Sequence, residues 1–404
     1  MTERDIVIVG AGPVGLTAAI AVRATGRPVT VVEEGEADRI RPGSRAIFLH
    51  RVTLEVLERL RPGLGHELAR HGLVWATKRT LYRGREMYRR TYPSLPPGVL
   101  PAATSLPQVV TERVLLQAAI EAGAEFLWSA PVTRVTAQGR GVQIDTARDV
   151  SVSARYVIGA DGARSVVRDS VGLRLEGPRT SNAFVIVDTA EDPANPLPVE
   201  RIFHYEHPEI GFRNVLFVPF TGHWRVDLQC HADDDPDALS TAVGVREWLI
   251  KVMPVAYADR VTWASTYVFR QAIANRFTDA SHRVLLAGEA GHVFAPFGAR
   301  GLNSGIADAF VAAQAIDAAL RADDASAAAR AIQACADSRR AAAGRNRAAS
   351  SAALTHLQAR SPLQRVLRRT AGYLAASMPA VGRWMDRTPF GPPLGGADRD
   401  GMFY

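Results

Sequence analysis

The chain has 404 residues, of which 47% are hydrophobic and 22% are charged, which is typical of a folded protein and excludes a disordered one. Its formal net charge is +7, but the basic residues are spread along the chain without an aromatic-interleaved patch, so nucleic-acid binding is not expected. Only two cysteines are present, Cys230 and Cys335, which excludes a disulfide framework and favours a reducing, cytoplasmic location.

Membrane insertion and targeting are not indicated either. No uninterrupted apolar run is long enough to span a bilayer, and the N-terminal residues lack the basic region and cleavage site of a signal peptide. The pattern indicates no metal site and leaves the oligomeric state open. A length of this order predicts two domains.

The chain opens with a predicted strand, tight turn, helix and second strand. The strand from Asp5 to Val9 runs directly into Gly10, Gly12 and Gly15, spaced Gly-x-Gly-x-x-Gly, and an Ala-rich helix follows. In a dinucleotide-binding unit the first glycine allows the turn, the second lets the backbone approach a pyrophosphate, and the third lets helix and strand pack closely. This context favours dinucleotide binding over a simple βαβ packing motif.

An acidic residue ends the second strand of this unit. The strand Val29 to Val32 stops at Glu33, about where a carboxylate reaches ribose hydroxyls. Its neighbour Glu34 is an alternative ligand, and the spacing does not decide between the two.

Further along, two loops carry polar residues beside predicted helices. Ser44 and Arg45 precede a helix-spaced segment, and an arginine there can pair with phosphate through its planar guanidinium, although a solvated surface arginine is the alternative. Gln108 stands before another helix. A strand from Ala154 to Ile158 ends in Asp161 and Gly162, a second turn that leads into a helix.

Between Ala183 and Phe269 the chain consists mostly of short alternating apolar segments, which predict an antiparallel sheet interrupted by one helix around Leu239 to Val252. In one segment the polar residues Arg225, Asp227 and Gln229 alternate with apolar ones, so one set faces a cleft and the other does not. A sheet inserted between two pieces of a dinucleotide-binding domain would form the substrate wall of that cleft.

The stretch from Arg283 to Phe310 contains the densest group of glycines. A buried strand from Val284 to Ala287 leads into a glycine-lined loop, and Asn303 or Ser304 is expected to cap the helix that follows. The free amides of a first helical turn stabilise negative charge, such as that on the ring edge of a reduced flavin. An ordinary Gly-rich loop feeding a helix is the alternative.

After Phe310 the chain is predicted to be almost all helical. The stretch from Ser361 to Arg387 has an apolar face and an arginine face; we expect it to pack on its own domain as a closing helix, the alternative being a membrane surface. The tail from Thr388 to Tyr404 contains Pro and Gly throughout and is expected to be extended.

Together, the Gly10-Gly12-Gly15 fingerprint, the Asp161-Gly162 pair and the segment GEAGHVFAPFGARGLNSGIADA resemble the single-component flavoprotein aromatic monooxygenases related to p-hydroxybenzoate hydroxylase. The resemblance runs in order over roughly residues 5 to 310. It implies an α/β fold in which a Rossmann-like FAD-binding domain carries an inserted, mostly antiparallel sheet and C-terminal helices. The expected division is FAD-binding domain at 1–75, 105–178 and 276–340, substrate-domain strands at 76–104, substrate-binding sheet at 179–275, and C-terminal helices and tail at 341–404.

The same resemblance implies which residues hold the cofactor. Glu33 would hold the adenosine ribose, Arg45 and Gln108 the pyrophosphate and ribityl region, and Val132 the adenine edge. The amides of Leu302 and Asn303 would lie on the pyrimidine side of the flavin. The full expected FAD set is Gly10, Gly12, Pro13, Val14, Gly15, Glu33, Glu34, Ser44, Arg45, Gln108, Val132, Asp161, Gly162, Glu289, Pro296, Gly298, Gly301, Leu302 and Asn303.

Two departures from the family pattern concern the ribityl contact and the substrate. Glu289 stands where the family usually has aspartate, so its contact to the ribityl chain is in doubt. The strand after Phe212 is largely apolar, which weakens the case for a small benzoate and leans toward a larger phenol or polyketide. No side chain is an obvious acid or base; Arg45, Pro296 and Arg300 are the catalytic candidates. The substrate-contact candidates are Tyr205, Leu216, Val218, Arg225, Asp227, Gln229 and Pro296.

The implied activity is hydroxylation of an aromatic small molecule with NAD(P)H as transient reductant and molecular oxygen, through a C4a-hydroperoxyflavin. The cofactor carries such chemistry, while the protein supplies orientation, charge stabilisation and exclusion of water. Alternatives are epoxidation or Baeyer–Villiger oxidation on the same fold, or an FAD-binding protein without turnover. The sequence does not distinguish NADPH from NADH.

Overall fold

A computed structural model describes residues 4–40, 43–139, 141–147, 150–375 and 377–390. Residues 391–404, most of the predicted tail, lie outside these ranges. The strands, in chain order, are β1 Arg4–Val9, β2 Thr30–Val32, β3 Phe48–His50, β4 Thr77–Tyr82, β5 Arg85–Thr91, β6 Ala103–Ser105, β7 Glu125–Leu127, β8 Val132–Gln138, β9 Gly141–Thr146, β10 Ser151–Gly159, β11 Leu175–Glu176, β12 Arg179–Ala190, β13 Glu200–His207, β14 Arg213–Phe220, β15 His223–Gln229, β16 Val261–Arg270, β17 Ala272–Ala274, β18 Val284–Leu286 and β19 His292–Val293.

The α-helices are α1 Pro13–Ala24, α2 Arg51–Leu60, α3 Leu64–His71, α4 Gln108–Glu121, α5 Val166–Ser170, α6 Pro236–Ser240, α7 Ala242–Leu249, α8 Val255–Ala258, α9 Arg300–Arg321, α10 Ala325–Gln358, α11 Pro362–Leu374 and α12 Pro379–Arg387. Short 3-10 turns lie at Pro208–Ile210, Gly288–Ala290 and Thr388–Phe390.

The first sheet is assembled from three separated parts of the chain. Strands β7, β2, β1 and β10 run parallel in that order, and β18 continues beside the second half of β10. The first half of β10 pairs instead with antiparallel β9, which pairs with β8. The central strands are buried between helices, so they are nearly continuous apolar runs. This arrangement confirms the predicted Rossmann-like unit.

The second sheet confirms the predicted antiparallel insertion. Its strand order is β16-β12-β15-β14-β13-β4-β5, antiparallel throughout except for the β13–β4 pair. One face packs under α6 to α8 in a cluster that includes Val185, Val226 and Trp248. The other face contacts the loops around residues 44–48 and 294–300 and the C-terminal helices. Two smaller pairings complete the strands: β11-β17-β19 and β3-β6.

Two helix predictions were wrong in detail. The single helix expected around Leu239 to Val252 is divided between the end of α6 and α7, because Thr241 has an extended backbone that ends α6 and its hydroxyl caps α7. The helix expected to be capped by Asn303 or Ser304 begins at Arg300, after Ala299 in the left-handed conformation. The periodic spacing of apolar and polar residues shows that a helix is present, but it does not locate the first and last residues of that helix accurately.

The C-terminal helices pack on the body of the protein, as predicted. Helix α10 lies against α9, and α11 and α12 close over β4, β5 and β13, where Ala371, Met385 and Tyr205 are buried together. A Cβ on Gly372 would lie 2.5 Å from the Tyr82 ring, so the backbone of α11 lies directly against this side chain of the sheet. Among the described helices, none is both long and apolar enough to cross a bilayer.

Candidate active site

The glycine turn after β1 has the geometry that its spacing predicts. Gly10 has a φ of +100°, and a Cβ there would lie 2.5 Å from the carbonyl oxygen of Ala160. A Cβ on Gly15 would lie 1.8 Å from the carbonyl oxygen of Gly10. Gly12 is the N-cap of α1 without a capping side chain, and Pro13 follows at the first position, so the first-turn amides have no side-chain cap. The turn therefore presents a helix N-terminus, a site that favours anions.

The carboxylate of Glu33 lies under this turn. It accepts hydrogen bonds from the Ala11 amide at 2.5 Å and the Gly35 amide at 3.1 Å, and Arg39 lies 3.4 Å away. Glu33 is 1% exposed, whereas Glu34 is exposed on the surface. The structure thus favours Glu33 over Glu34 for the ribose.

Other expected cofactor residues lie along the same edge of the first sheet. The amide of Ala130 donates to the Glu33 carbonyl, which brings the start of β8 at Val132 beside Glu33. Asp161 follows β10; its carboxylate accepts from the hydroxyl of Ser165, the N-cap of α5, at 2.5 Å and from the first-turn amide of Val167 at 3.0 Å. Burial raises the pKa of Asp161 above its usual value. Gly162, with a φ of +78°, completes the turn.

The Ser44–Arg45 loop is fastened to the second sheet. Arg225 donates to Asp188 at 3.1 Å, and its other nitrogens bind the Ser44 hydroxyl and the Arg45 carbonyl. The Ser44 amide donates to Asp188 at 3.1 Å, and the Ser44 carbonyl accepts from the Gln108 amide at 2.9 Å. Each nitrogen of Arg225 thus makes a hydrogen bond that fastens the Ser44–Arg45 loop to the second sheet, and the side chain expected to contact the substrate is buried in this role.

The loop after β18 packs directly on α1. A Cβ on Gly288 would lie 2.9 Å from the Val14 side chain, and one on Gly305 would lie 2.6 Å from it. The first and last of the expected cofactor motifs are thus neighbours in the fold. The Glu289 side chain is partly accessible to solvent but densely surrounded by protein. This desolvation raises the pKa of its carboxyl, and the positive charges of His292 and Arg45 oppose the rise.

A buried ion network that the sequence did not reveal supports the same loop. Asp308 of α9 binds His292 Nε2 at 2.7 Å, Arg339 Nε at 2.7 Å and the Gly288 amide at 3.1 Å. Both His292 and Asp308 are almost fully buried. The sequence signal for such a network is an aspartate on the apolar face of a helix, because a buried carboxylate requires charged or hydrogen-bonding partners.

Asn303 is a crosslink and not a helix cap. Its amide group donates to the carbonyls of Phe48 and Ala299, and its oxygen accepts from the His50 amide and the Thr53 hydroxyl, at 2.6 to 3.0 Å. Helix α9 begins earlier, so its first-turn amides are those of residues 300 to 302, which follow the left-handed Gly298 and Ala299. This turn includes Gly301 and Leu302 of the expected flavin set.

Of the catalytic candidates, Arg45 and Pro296 are exposed, whereas Arg300 is buried. Arg300 donates to Asn346 on α10 at 3.3 Å, and burial lowers the pKa of its guanidinium to about 10. Burial, with a smaller contribution from Arg300, lowers the pKa of His50 to about 4, so His50 is neutral at pH 7.

The sheet wall contains the remaining expected substrate residues, and the structure separates them. Tyr205 is fully buried beneath the C-terminal helices and donates to the Met385 carbonyl at 2.8 Å. Val218 is buried against Ile47, and Gln229 accepts from Asn214 at 2.7 Å. Only Leu216 and Asp227 of the sheet candidates are half-exposed on the wall that faces the loops.

Two aromatic residues that were not predicted also border this wall. Phe297 packs against Phe184 and Phe269, and Tyr267 is exposed on the edge strand β16. Burial and the nearby Glu289 raise the pKa of Tyr267 to about 12, and Arg45 opposes the rise. Their position at this wall depends on contacts between segments far apart in sequence, so no local sequence pattern predicts it.

These residues fit an FAD molecule. The side-chain-free cradle at Gly10 and Gly15 beside the uncapped start of α1 suits a pyrophosphate, and Glu33 suits ribose hydroxyls. The start of α9 suits a negative charge on a flat ring held by the Gly298 loop. Arg45 and Glu289, which interact electrostatically, are the candidates for polar contacts to the middle of the cofactor.

Comparison with known proteins agrees with this assignment. The sequence model of the family described as FAD binding domain matches residues 3–346. The chain is 32% identical over 319 residues to the 6-methylpretetramide 4-monooxygenase of Streptomyces rimosus, covering 76% of this chain and 54% of that protein. It is 27% identical to the para-nitrophenol 4-monooxygenase of Pseudomonas sp. (strain WBC-3), covering 79% of each.

Its fold is similar to the crystal structure of p-nitrophenol 4-monooxygenase PnpA from Pseudomonas putida DLL-E4, with a TM-score of 0.77 and 24% identity over 97% of this chain and 99% of that one. The chain spans about half the length of the first curated relatives it matches, from 52% to 54%.

Proposed function

The chain belongs to the FAD binding domain family, and from this premise we propose that it is an NAD(P)H-dependent flavoprotein monooxygenase that hydroxylates an aromatic, phenolic or polyketide-like small molecule. The observation that carries the proposal is that three parts of the molecule are neighbours: the Gly10 turn with the start of α1, the loop at 288–298, which packs on Val14 of α1, and the second sheet, whose Phe184 and Phe269 contact Phe297 of that loop. A site for the cofactor alone would need only the Gly10 turn and the loop. The third supplies a place for a second molecule beside the ring.

When bound, FAD would take electrons from NAD(P)H and supply the oxygen chemistry. The protein's own part is positioning and charge. Glu33 would bind the ribose, the start of α1 the pyrophosphate, and the first turn of α9 the negative charge that develops on the ring. Arg45 and Glu289 would contact the ribityl region from opposite sides of the cleft.

The sheet wall would hold the substrate and exclude water. Leu216, Phe297 and Ile186 provide an apolar surface that suits a flat aromatic molecule, and Pro296 is exposed at the loop opposite. The relatives named for 6-methylpretetramide and para-nitrophenol support an aromatic substrate. We also propose a cytoplasmic location, because both cysteines are free thiols.

The test is turnover by the purified, FAD-loaded protein. NADPH or NADH oxidation and oxygen consumption are measured with para-nitrophenol and a polycyclic phenol, and the product is analysed by mass spectrometry. A substrate-stimulated rate and a product that gains one oxygen atom support the proposal. FAD binding without a substrate-dependent rate from either reductant would instead indicate a non-catalytic flavin-binding protein.

A further inference from the structure

One cross-strand row on the substrate wall differs from its surroundings. In the register of the second sheet, Ser265 of β16 pairs with Ile186 of β12, Ile186 with Asp227 of β15, and Asp227 with Leu216 of β14. All four are half-exposed, whereas the neighbouring inner-face residues Phe184 and Asp188 are buried. The row is therefore the part of the wall that the cleft leaves open.

Asp227 is the charged member of that row, and its carboxylate is unpaired. Among the described residues it makes no hydrogen bond or ion pair, and its Oδ1 is shielded from solvent without a partner. The other polar residues on the same face of β15 are satisfied, since Arg225 binds Asp188 and Gln229 binds Asn214. Because a shielded, unpaired oxygen carries an appreciable energetic cost, such a group is a candidate for ligand binding.

The neighbouring positive charge does not neutralise this carboxylate. All three nitrogens of Arg225 are committed to Asp188, Ser44 and the Arg45 carbonyl. Burial raises the pKa of the Asp227 carboxyl to about 6; Arg225 opposes this rise and Asp188 adds to it. At neutral pH the group is therefore mostly an anion, which only accepts hydrogen bonds.

We propose that Asp227 selects the substrate by accepting a hydrogen bond from a phenolic or enolic hydroxyl on the aromatic ring system. Its negative charge excludes a substrate that would place a carboxylate at the same position. This inference rests on the proposed function for the reaction, but it concerns binding, which is measurable without turnover. Asp227 thereby acts as a specificity-determining residue.

The environment of the carboxylate supports this choice of ligand. Ile186 and Leu216 flank it on the two neighbouring strands with apolar surface, so a ring that lies on them can point a hydroxyl at Asp227. A hydrogen bond to an ionised acceptor in such a place is strong and short. It draws the hydroxyl proton toward Asp227 and leaves electron density on the ring carbons ortho and para to the oxygen. Those carbons are the ones that an electrophilic oxygen attacks.

The test uses the FAD-loaded protein and three probes of similar shape: naphthol, its methyl ether and naphthoate. Dissociation constants are measured by calorimetry, and naphthol is expected to bind about tenfold or more tightly than either other probe. Asp227→Asn removes the charge and keeps the shape. In this variant we expect the preference for naphthol over naphthoate to fall by about tenfold or more, because the repulsion of the carboxylate disappears.

The pH dependence gives a second readout that a structural role would not change. Naphthol affinity of the unaltered protein should fall from about pH 7.5 to about pH 5, as Asp227 is protonated, and should be flat in Asp227→Asn. The other charged and titratable groups around the cleft are Arg225, Asp188, Arg45, Glu289 and Tyr267. Because Glu289 also has a raised pKa, the pH effect is assigned by comparison with the variant.

The control is Asp259→Asn, which removes the same charge from an exposed ion pair with Arg246 outside the cleft. It should retain the probe preference and pH profile of the unaltered protein. Equal affinity for naphthol and its methyl ether, including no binding of either, overturns the inference. An unchanged ratio in Asp227→Asn also overturns it. Failure of turnover with intact probe selectivity would count against the proposed function and leave the assignment of Asp227 supported.

Discussion

The two walls of the cleft are built in different ways. On the cofactor wall the decisive contacts are made by backbone, as at Gly15, where a single Cβ would lie 1.8 Å from the Gly10 carbonyl oxygen. On the proposed substrate wall they are made by side chains from different strands, as in the row that places Asp227 between Ile186 and Leu216. A wall whose contacts are made by the backbone tolerates few substitutions. A wall whose contacts are made by side chains can bind a different ligand after substitution while the fold is kept.

The largest expected effect is on the cofactor wall. Gly15→Ala puts a methyl group into the backbone of the turn, and we expect it to cost about 3 kcal/mol or more in the free energy of unfolding. FAD should be lost on purification, which absorbance shows directly.

The matched control for this change is Gly344→Ala in the middle of α10, where an added Cβ meets nothing within 4 Å. It should stabilise the protein by about 0.5 to 1 kcal/mol. A Gly15→Ala protein that stays yellow and unfolds like the control would contradict the close packing of the turn.

The contact between the walls is tested by Arg225→Met. This change leaves Asp188 buried without its guanidinium partner and releases the Ser44–Arg45 loop, so we expect a loss of about 3 kcal/mol in urea unfolding. FAD affinity should also fall, as measured by flavin fluorescence, because Arg45 lies on the released loop.

Arg246→Met serves for comparison, because its ion pair with Asp259 is exposed. Such pairs contribute little, and a change within about 0.5 kcal/mol is expected. Equal unfolding free energies for the two variants would show that Arg225 does not hold the walls together.

The smallest effect concerns Glu289, and its sign depends on pH. A carboxyl whose pKa is raised in the folded state is favoured when protonated, so stability is lost as pH rises from the unfolded pKa through the folded one. In the FAD-free protein, Glu289→Gln should therefore raise Tm at neutral pH, by no more than about 2 °C, with no difference well below the unfolded pKa.

The same variant should bind FAD more weakly if Glu289 contacts the ribityl chain, which fluorescence titration measures. A lower Tm at neutral pH would show that Glu289 is stabilising in the folded state, against the direction of its pKa shift. Unchanged FAD affinity would remove Glu289 from the cofactor set.

The motifs and the broad fold were readable from the sequence, but the assignment of single side chains was not. Gly10 and Gly15 make the close backbone approaches that their spacing indicated, and the alternation on β15 placed Arg225, Asp227 and Gln229 on one face without deciding which face that is. Arg225 lies on the same face of β15 as Asp227, but it binds the Ser44–Arg45 loop to the second sheet. Asn303 was expected to cap a helix, but it joins separate segments by hydrogen bonds. The sequence does not reveal this role because the partners Phe48 and Thr53 lie some 250 residues away.

By itself the sequence determined the elements that depend on neighbours along the chain: the glycine turn, the parallel core strands, the alternating sheet and the helical C-terminus. Backbone conformation and burial impose these patterns within a few residues, so they are legible without the fold. Only the tertiary structure decided which polar side chains are satisfied and which remain unpaired in the cleft. A hydrogen-bond partner is set by distance in space, and the partners here come from segments that the chain joins only when it is folded.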